Sequence, residues 1–145
     1  MRRPALAALA AGALLAGCPE PPAPADPSFA QDVAPLFSST CAFSSCHGGT
    51  APPGGIRLGP ASNVSPSEVR SALVDAPAKT DASLVLVRPG DPDGSFLVRK
   101  LEGRFEDLPC GPDHCGERMP QRNFPLSDRD IQLVRNWVSQ GAKDN

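Results

Sequence analysis

Tyrosine is absent from this 145-residue chain, and aromatic residues make up only 5% of it, as six Phe and one Trp. A core without aromatic bulk is thin, and a buried cofactor is one way to supply the missing apolar surface. Histidine and methionine are scarce, with two of each. Charge of one sign is lacking as well: 14 basic residues meet 16 acidic ones and form no basic patch. That excludes the electrostatic footprint nucleic acid requires. No Ser/His/Asp arrangement, phosphate-binding glycine loop or HExxH motif is present, which removes the common hydrolase, nucleotide-binding and metalloprotease readings. The long apolar run, Ala5 to Ala16, is twelve residues, too short for a permanent membrane span.

What is abundant is proline and glycine, 18 and 13 residues, so long uninterrupted elements are not expected. The basic Met1-Arg2-Arg3 start and the apolar run after it read as a secretory signal over residues 1–17. Leu15-Ala16-Gly17-Cys18 resembles the lipobox of bacterial lipoproteins. The resemblance implies cleavage before Cys18 and lipidation of its thiol and amine, enough acyl chain for stable anchoring. The plainer alternative is an ordinary signal peptide followed by a chance Cys. Residues 18–27 then form a tether, with five Pro among Pro19 to Pro27. Such a segment is expected to stay extended and unpacked, spanning roughly 28 Å at ~3.1 Å per residue. By resemblance to the enterobacterial sorting rule, Pro19 rather than Asp after the lipid-bearing Cys does not signal inner-membrane retention, which favours the outer membrane with the domain facing the periplasm. Residues 28–145 suffice for one domain. Losing Arg2 and Arg3 leaves 12 basic residues against 16 acidic, a formal charge of −4.

An exported chain meets an oxidising compartment, so its five cysteines need assigning. Cys41-Ala-Phe-Ser-Ser-Cys46-His47 has the grammar of covalent haem c attachment: two thiols for the vinyl groups, then a His for the iron. Four residues separate these cysteines, where the usual motif is C-x-x-C-H. Cys110 and Cys115 remain and are the expected disulfide. Without haem, four thiols allow three pairings. His47 supplies a proximal iron ligand. Met119, the sole Met once Met1 is gone, supplies a distal thioether, a soft ligand that favours ferrous iron. His114 is the alternative distal ligand, against its ordinary reading as a solvated loop residue. Cys41, Cys46, His47, Cys110, His114 and Cys115 also constitute a zinc set, but zinc needs reduced thiolates and tighter spacings. A peroxidase-like site would need an open iron position, which Met119 argues against. Asp91 and Asp93 are a Ca²⁺ candidate, although Asp is common in turns for backbone reasons.

The expected fold is mostly α, a small helical domain with long loops and a short β-hairpin. Ser28 caps a helix with Phe29, Val33, Leu36 and Phe37 on one face, shortened or kinked by Pro35. Ser65-Pro66-Ser67-Glu68 opens a second helix, with Val69, Leu73 and Val74 on one side. Ile56-Arg57-Leu58 and Leu84-Val85-Leu86-Val87 are short β-type runs, the second ending in a dense turn from Arg88 to Gly94. Ser95 caps a third helix carrying Phe96, Leu97 and Leu101 and ending near Gly103. Ser127, with Asp130 at N3, opens the last helix, whose stripe is Ile131, Val134, Trp137 and Val138, and Gly141 stops it.

A short helix, a Cys…Cys-His loop, a distant Met-Pro and a C-terminal amphipathic helix together resemble class I cytochromes c. Val87-Arg-Pro-Gly-Asp-Pro-Asp-Gly-Ser95 and Ile131-Gln-Leu-Val-Arg-Asn-Trp137-Val-Ser-Gln-Gly-Ala142 are closer to a planctomycete and myxobacterial subgroup. The resemblance runs over most of Phe29 to Ala142. It implies a crossing of the first and last helices near Phe37 and Trp137, one covalent haem c, and electron transfer to redox partner proteins in the cell envelope rather than catalysis. The alternative is a haem-free, disulfide-stabilised lipoprotein acting as a structural or binding module.

Overall fold

The computed structural model describes residues 20–59, 63–110, 114–121 and 125–145. The signal segment 1–17, Cys18 and Pro19 lie outside the described residues. The described part is mostly helical, with no β-sheet among its residues.

The chain enters its first helix through a π-helical turn, Phe29–Val33, that runs into α1 (Ala34–Thr40). Pro35 is the cause. It has no N–H, and its ring presses on the carbonyl four residues back, so the preceding turn widens. The amides of Val33 and Ala34 accordingly reach back five residues, to the carbonyls of Ser28 and Phe29. Ser28 caps this turn by accepting from the Gln31 amide at 3.1 Å. Phe29, Val33 and Phe37 are fully buried, and Leu36 packs at the edge.

Helix α2 (Pro66–Leu73) begins with a complete capping box. Ser65 Oγ accepts from the Glu68 amide, and the Ser65 amide donates to Glu68 Oε2 at 2.7 Å. These bonds to the charged form hold the Glu68 carboxyl below its usual range. Val69 and Leu73 are buried; Val74 has left the helix as its C-cap. Helix α3 (Phe96–Glu102) ends at Gly103, whose left-handed φ of 73° stops it. Ser95 sits at its N-cap without capping it. Its hydroxyl instead donates to the Asp91 carbonyl at 2.7 Å and accepts from the Arg88 amide at 2.8 Å, knitting the Pro-Gly turn shut from a fully buried position. Helix α4 (Asp128–Ser139) is capped by Ser127 Oγ, which accepts from the Asp130 amide at 3.1 Å. Its buried stripe is Ile131, Leu133, Val134, Trp137 and Val138.

The expected hairpin does not form among the described residues. Leu84 to Val87 meets the segment after α2 only in two isolated bridges, Val74 with Val87 in parallel and Pro77 with Val85 in antiparallel sense. Pro77 has no amide to extend a ladder, and Asp75 turns the backbone at φ 56°. Ile56 to Leu58 is not a strand either, because the Leu58 amide donates to the His47 carbonyl at 3.1 Å instead of to a neighbouring strand.

The first and last helical segments do meet, with Phe29 rather than Phe37 against the tryptophan: the Phe29 and Trp137 rings lie 4.8 Å apart, and Phe37 stands edge-on behind Phe29 at 6.4 Å. Fully burying a Phe contributes about 1.5–3 kcal/mol. The Trp137 indole N–H donates to the Lys143 carbonyl at 3.0 Å, so its burial strands no polar group. Asn145 closes the circuit, accepting from the Ala30 and Phe29 amides at 2.9 Å each.

The described part of the Pro-rich stretch, residues 20–27, is docked along α4 and not free. Arg129 Nε donates to the Pro21 carbonyl at 3.0 Å, Asn136 Nδ2 to the Pro24 carbonyl at 2.7 Å, and Gln140 Nε2 to the Ala25 carbonyl. Positions 129, 136 and 140 share one helical stripe. Proline removes N–H donors but leaves carbonyls unpaired, and a row of side-chain donors collects them. Pro27 is fully buried. The expected 28 Å spacer is therefore a strap over the residues described.

Candidate functional site

A mostly apolar cavity of about 440 Å³ opens between the loop after α1 and the loop after α3. That lies within the usual range for small-molecule and cofactor pockets. Phe37, Leu58, Leu73, Phe96 and Leu101 supply its buried apolar lining. Cys41, Cys46, His47 and Met119, chosen from the sequence as the attachment and ligand set, all line this one cavity.

The Cys–His wall is built by its own backbone. The Cys46 amide donates to the Phe43 carbonyl at 2.8 Å, the His47 amide to the Cys41 carbonyl at 3.1 Å, and the Gly48 amide to the Phe43 carbonyl at 3.0 Å. The four intervening residues are thereby coiled into a tight turn. Gly48 is required for space: a Cβ there would stand 2.1 Å from the Ala42 carbonyl oxygen. His47 Nδ1 lies 2.9 Å from the Ile56 carbonyl oxygen. Only a donor is favourable against a carbonyl, so in the neutral ring Nδ1 carries the proton and Nε2 the lone pair, and the ring lines the cavity. Cys41 is half-buried, and burial pushes its thiol up from its ordinary value, partly offset by the Thr40 hydroxyl at 3.3 Å. Cys46 is exposed, and neither of the two is in a disulfide.

The Met wall is built differently. Cys110 and Cys115 are joined in a disulfide. From Cys115 onward the loop is stitched to the last turn of α3, whose carbonyls would otherwise lack partners. The Met119 amide donates to the Lys100 carbonyl at 2.9 Å, and Arg118 Nε donates to the Leu101 carbonyl at 2.8 Å. Lys100 returns the contact: Nζ donates to the Cys115 carbonyl at 2.7 Å and to the Glu117 carbonyl. Its ammonium also lies 4.3 Å from the centre of the Phe105 ring.

His114 is exposed and does not line the cavity. The zinc set is not assembled among the described residues: two of its thiols are in the disulfide, and no group of three metal-binding side chains comes together. Asp93 is engaged by Arg135 at 3.0 Å and Arg104 at 3.5 Å, which holds its carboxyl below the usual range, while Asp91 Oδ1 accepts from the Gly94 amide. Both behave as turn and ion-pair residues. Sequence reading passed over Lys100, a basic residue in a last helical turn with nothing to mark it as buried, and over the Ile56 carbonyl, which no side-chain pattern reports.

The donor set and the cavity fit a haem c: two thiols, an imidazole with Nε2 free, a thioether and an apolar enclosure. No family model, curated protein or solved structure matches this chain.

Proposed function

We propose that this chain is a monohaem c-type cytochrome that carries single electrons in the cell envelope. One observation carries the reading: Cys41, Cys46, His47 and Met119, drawn from two separate parts of the sequence, line a single apolar cavity. When bound, haem supplies a one-electron iron couple. Cys41 and Cys46 hold it through thioethers, which makes the cofactor permanent. His47, oriented by the Ile56 carbonyl, would be one iron ligand, through Nε2. Met119 would be the second ligand, and its thioether would favour the ferrous form. With an imidazole and a thioether both supplied by the protein, the site would hold and pass electrons rather than activate a substrate. The apolar lining of Phe37, Leu58, Leu73 and Leu101 would keep water from the ring.

Lipidation at Cys18 would keep the domain at the outer membrane, facing the periplasm, within reach of membrane redox partners. The docked strap leaves only Pro19 and Glu20 between that Cys and the Pro21–Arg129 contact, so the domain would sit close to the bilayer.

The test is to isolate the protein from its own envelope, denature it and ask whether haem remains on the polypeptide. Retained haem is the expected result. Its absence in a host competent to attach haem ends the electron-carrier reading.

A further inference from the structure

Lys100 is an unusual residue for the wall of an apolar cavity. It lines the cavity, yet is only 7% exposed. Its ammonium is held by the carbonyls of Cys115 and Glu117 and by the Phe105 ring, not by a carboxylate in direct contact. Glu117 contributes only as a nearby charge, and burial draws the amine below its ordinary range. A charge kept in such a place is costly unless the groups around it satisfy it. Here they do: no buried side-chain polar atom among the described residues lacks a partner.

The bonds of Lys100 have a particular address. Its Nζ fixes two carbonyls of the loop before Met119, those of Cys115 and Glu117, and its own carbonyl accepts from the Met119 amide. One residue therefore grips the Met119 loop from both ends of its own structure. Arg118 adds a further stitch to the next carbonyl of the helix.

We infer that Lys100 is the positioning residue for Met119 and, through its buried charge, a determinant of the potential of the centre, an inference that rests on the haem reading. Two effects follow, of one sign. The clamp holds the thioether loop against the cavity, which maintains the ligand that favours ferrous iron. The fixed positive charge, in a wall of low dielectric, favours the state that has gained an electron. Losing either lowers the potential.

The experiment uses the full-length, haem-loaded protein and three variants, Lys100→Met, Lys100→Gln and Lys100→Arg. Haem content is read first on the unmodified protein. The readouts are the charge-transfer band of thioether-ligated ferric haem and the midpoint potential. Lys100→Met, which removes charge and donors, is expected to weaken the band and lower the potential. Lys100→Gln, which keeps N–H donors without charge, is expected to retain more of the band while the potential still falls. Lys100→Arg is expected to restore both. If Lys100→Met does not fold, the Gln and Arg pair carries the same comparison. Band and potential matching the parent in the neutral variants would overturn the inference alone. An unmodified protein without covalent haem would overturn the functional reading, and this inference with it.

Discussion

The two walls of the cavity are made by different means. The Cys–His wall is local: its turn closes through backbone bonds within Cys41 to Gly48, and the Ile56 carbonyl and Leu58 amide that bond His47 lie nine and eleven residues from it. The Met wall is not local. Its loop is tied to helix α3 by Lys100 and Arg118 across 15 to 17 residues, and to itself by the Cys110–Cys115 bond. A wall that folds on its own backbone is specified by spacing and glycine. A wall that hangs from a helix is specified by where that helix lies and depends on side chains that carry no motif.

Substitutions separate the two walls. The largest effect is expected where they share a floor. Phe37 is fully buried and lines the cavity, so Phe37→Ala should cost about 3–5 kcal/mol and loosen both walls together. Denaturant unfolding checks the magnitude, and amide exchange at His47 and Met119 checks that both are affected. Gly48→Ala should strike the Cys–His wall alone, at about 3 kcal/mol, because the new Cβ meets backbone rather than a flexible side chain. Exchange should then rise around Cys46 and His47 while Met119 stays protected. The converse is the paired change Cys110→Ser with Cys115→Ser. Opening so short a loop should cost about 2 kcal/mol, and the loss of protection should appear from Cys115 to Met119.

The smallest effect is expected from acid. Asp93 and Glu102 bind Arg135 of α4 at 3.0 and 2.8 Å, which ties the α3 region, and so the Met wall, to the last helix. The Asp93 carboxyl is held below its unfolded value, chiefly by its hydrogen bond with Arg135. Its contribution is therefore complete above the unfolded Asp value of about 3.9 and is lost as pH falls through the lower folded value. Asp93 is exposed, so the loss is small. The fall in melting temperature of the parent across that acid range should be shallower in Asp93→Asn, with no change in exchange at His47.

Legibility followed the same division. Helix starts at Ser65 and Ser127, the stop at Gly103 and the apolar stripe of α4 were readable, because caps and period act over one or two turns. Ser95 was read as a cap, yet its hydroxyl serves the turn before it; a Ser beside a Pro-Gly turn has two local uses, and position alone does not choose between them. Leu84 to Val87 looked like a strand because its residues are β-branched or apolar, but a strand needs a partner, and the one it found contains Pro77. The expectation of an unpacked tether failed for a related reason. Proline content says that residues 20–27 are extended; it does not say that Arg129, Asn136 and Gln140 present donors at the right rise to hold them.

The sequence by itself determined the helices, the caps at Ser28, Ser65 and Ser127 and the chemical identity of the candidate ligands, since each depends on neighbours within a few residues. Tertiary structure alone decided that Met119 comes to the same cavity as His47, that Lys100 is buried, and that the Pro-rich segment lies down on α4. Those outcomes depend on contacts between residues far apart along the chain, where a carbonyl or an ammonium finds its partner only after the helices have packed.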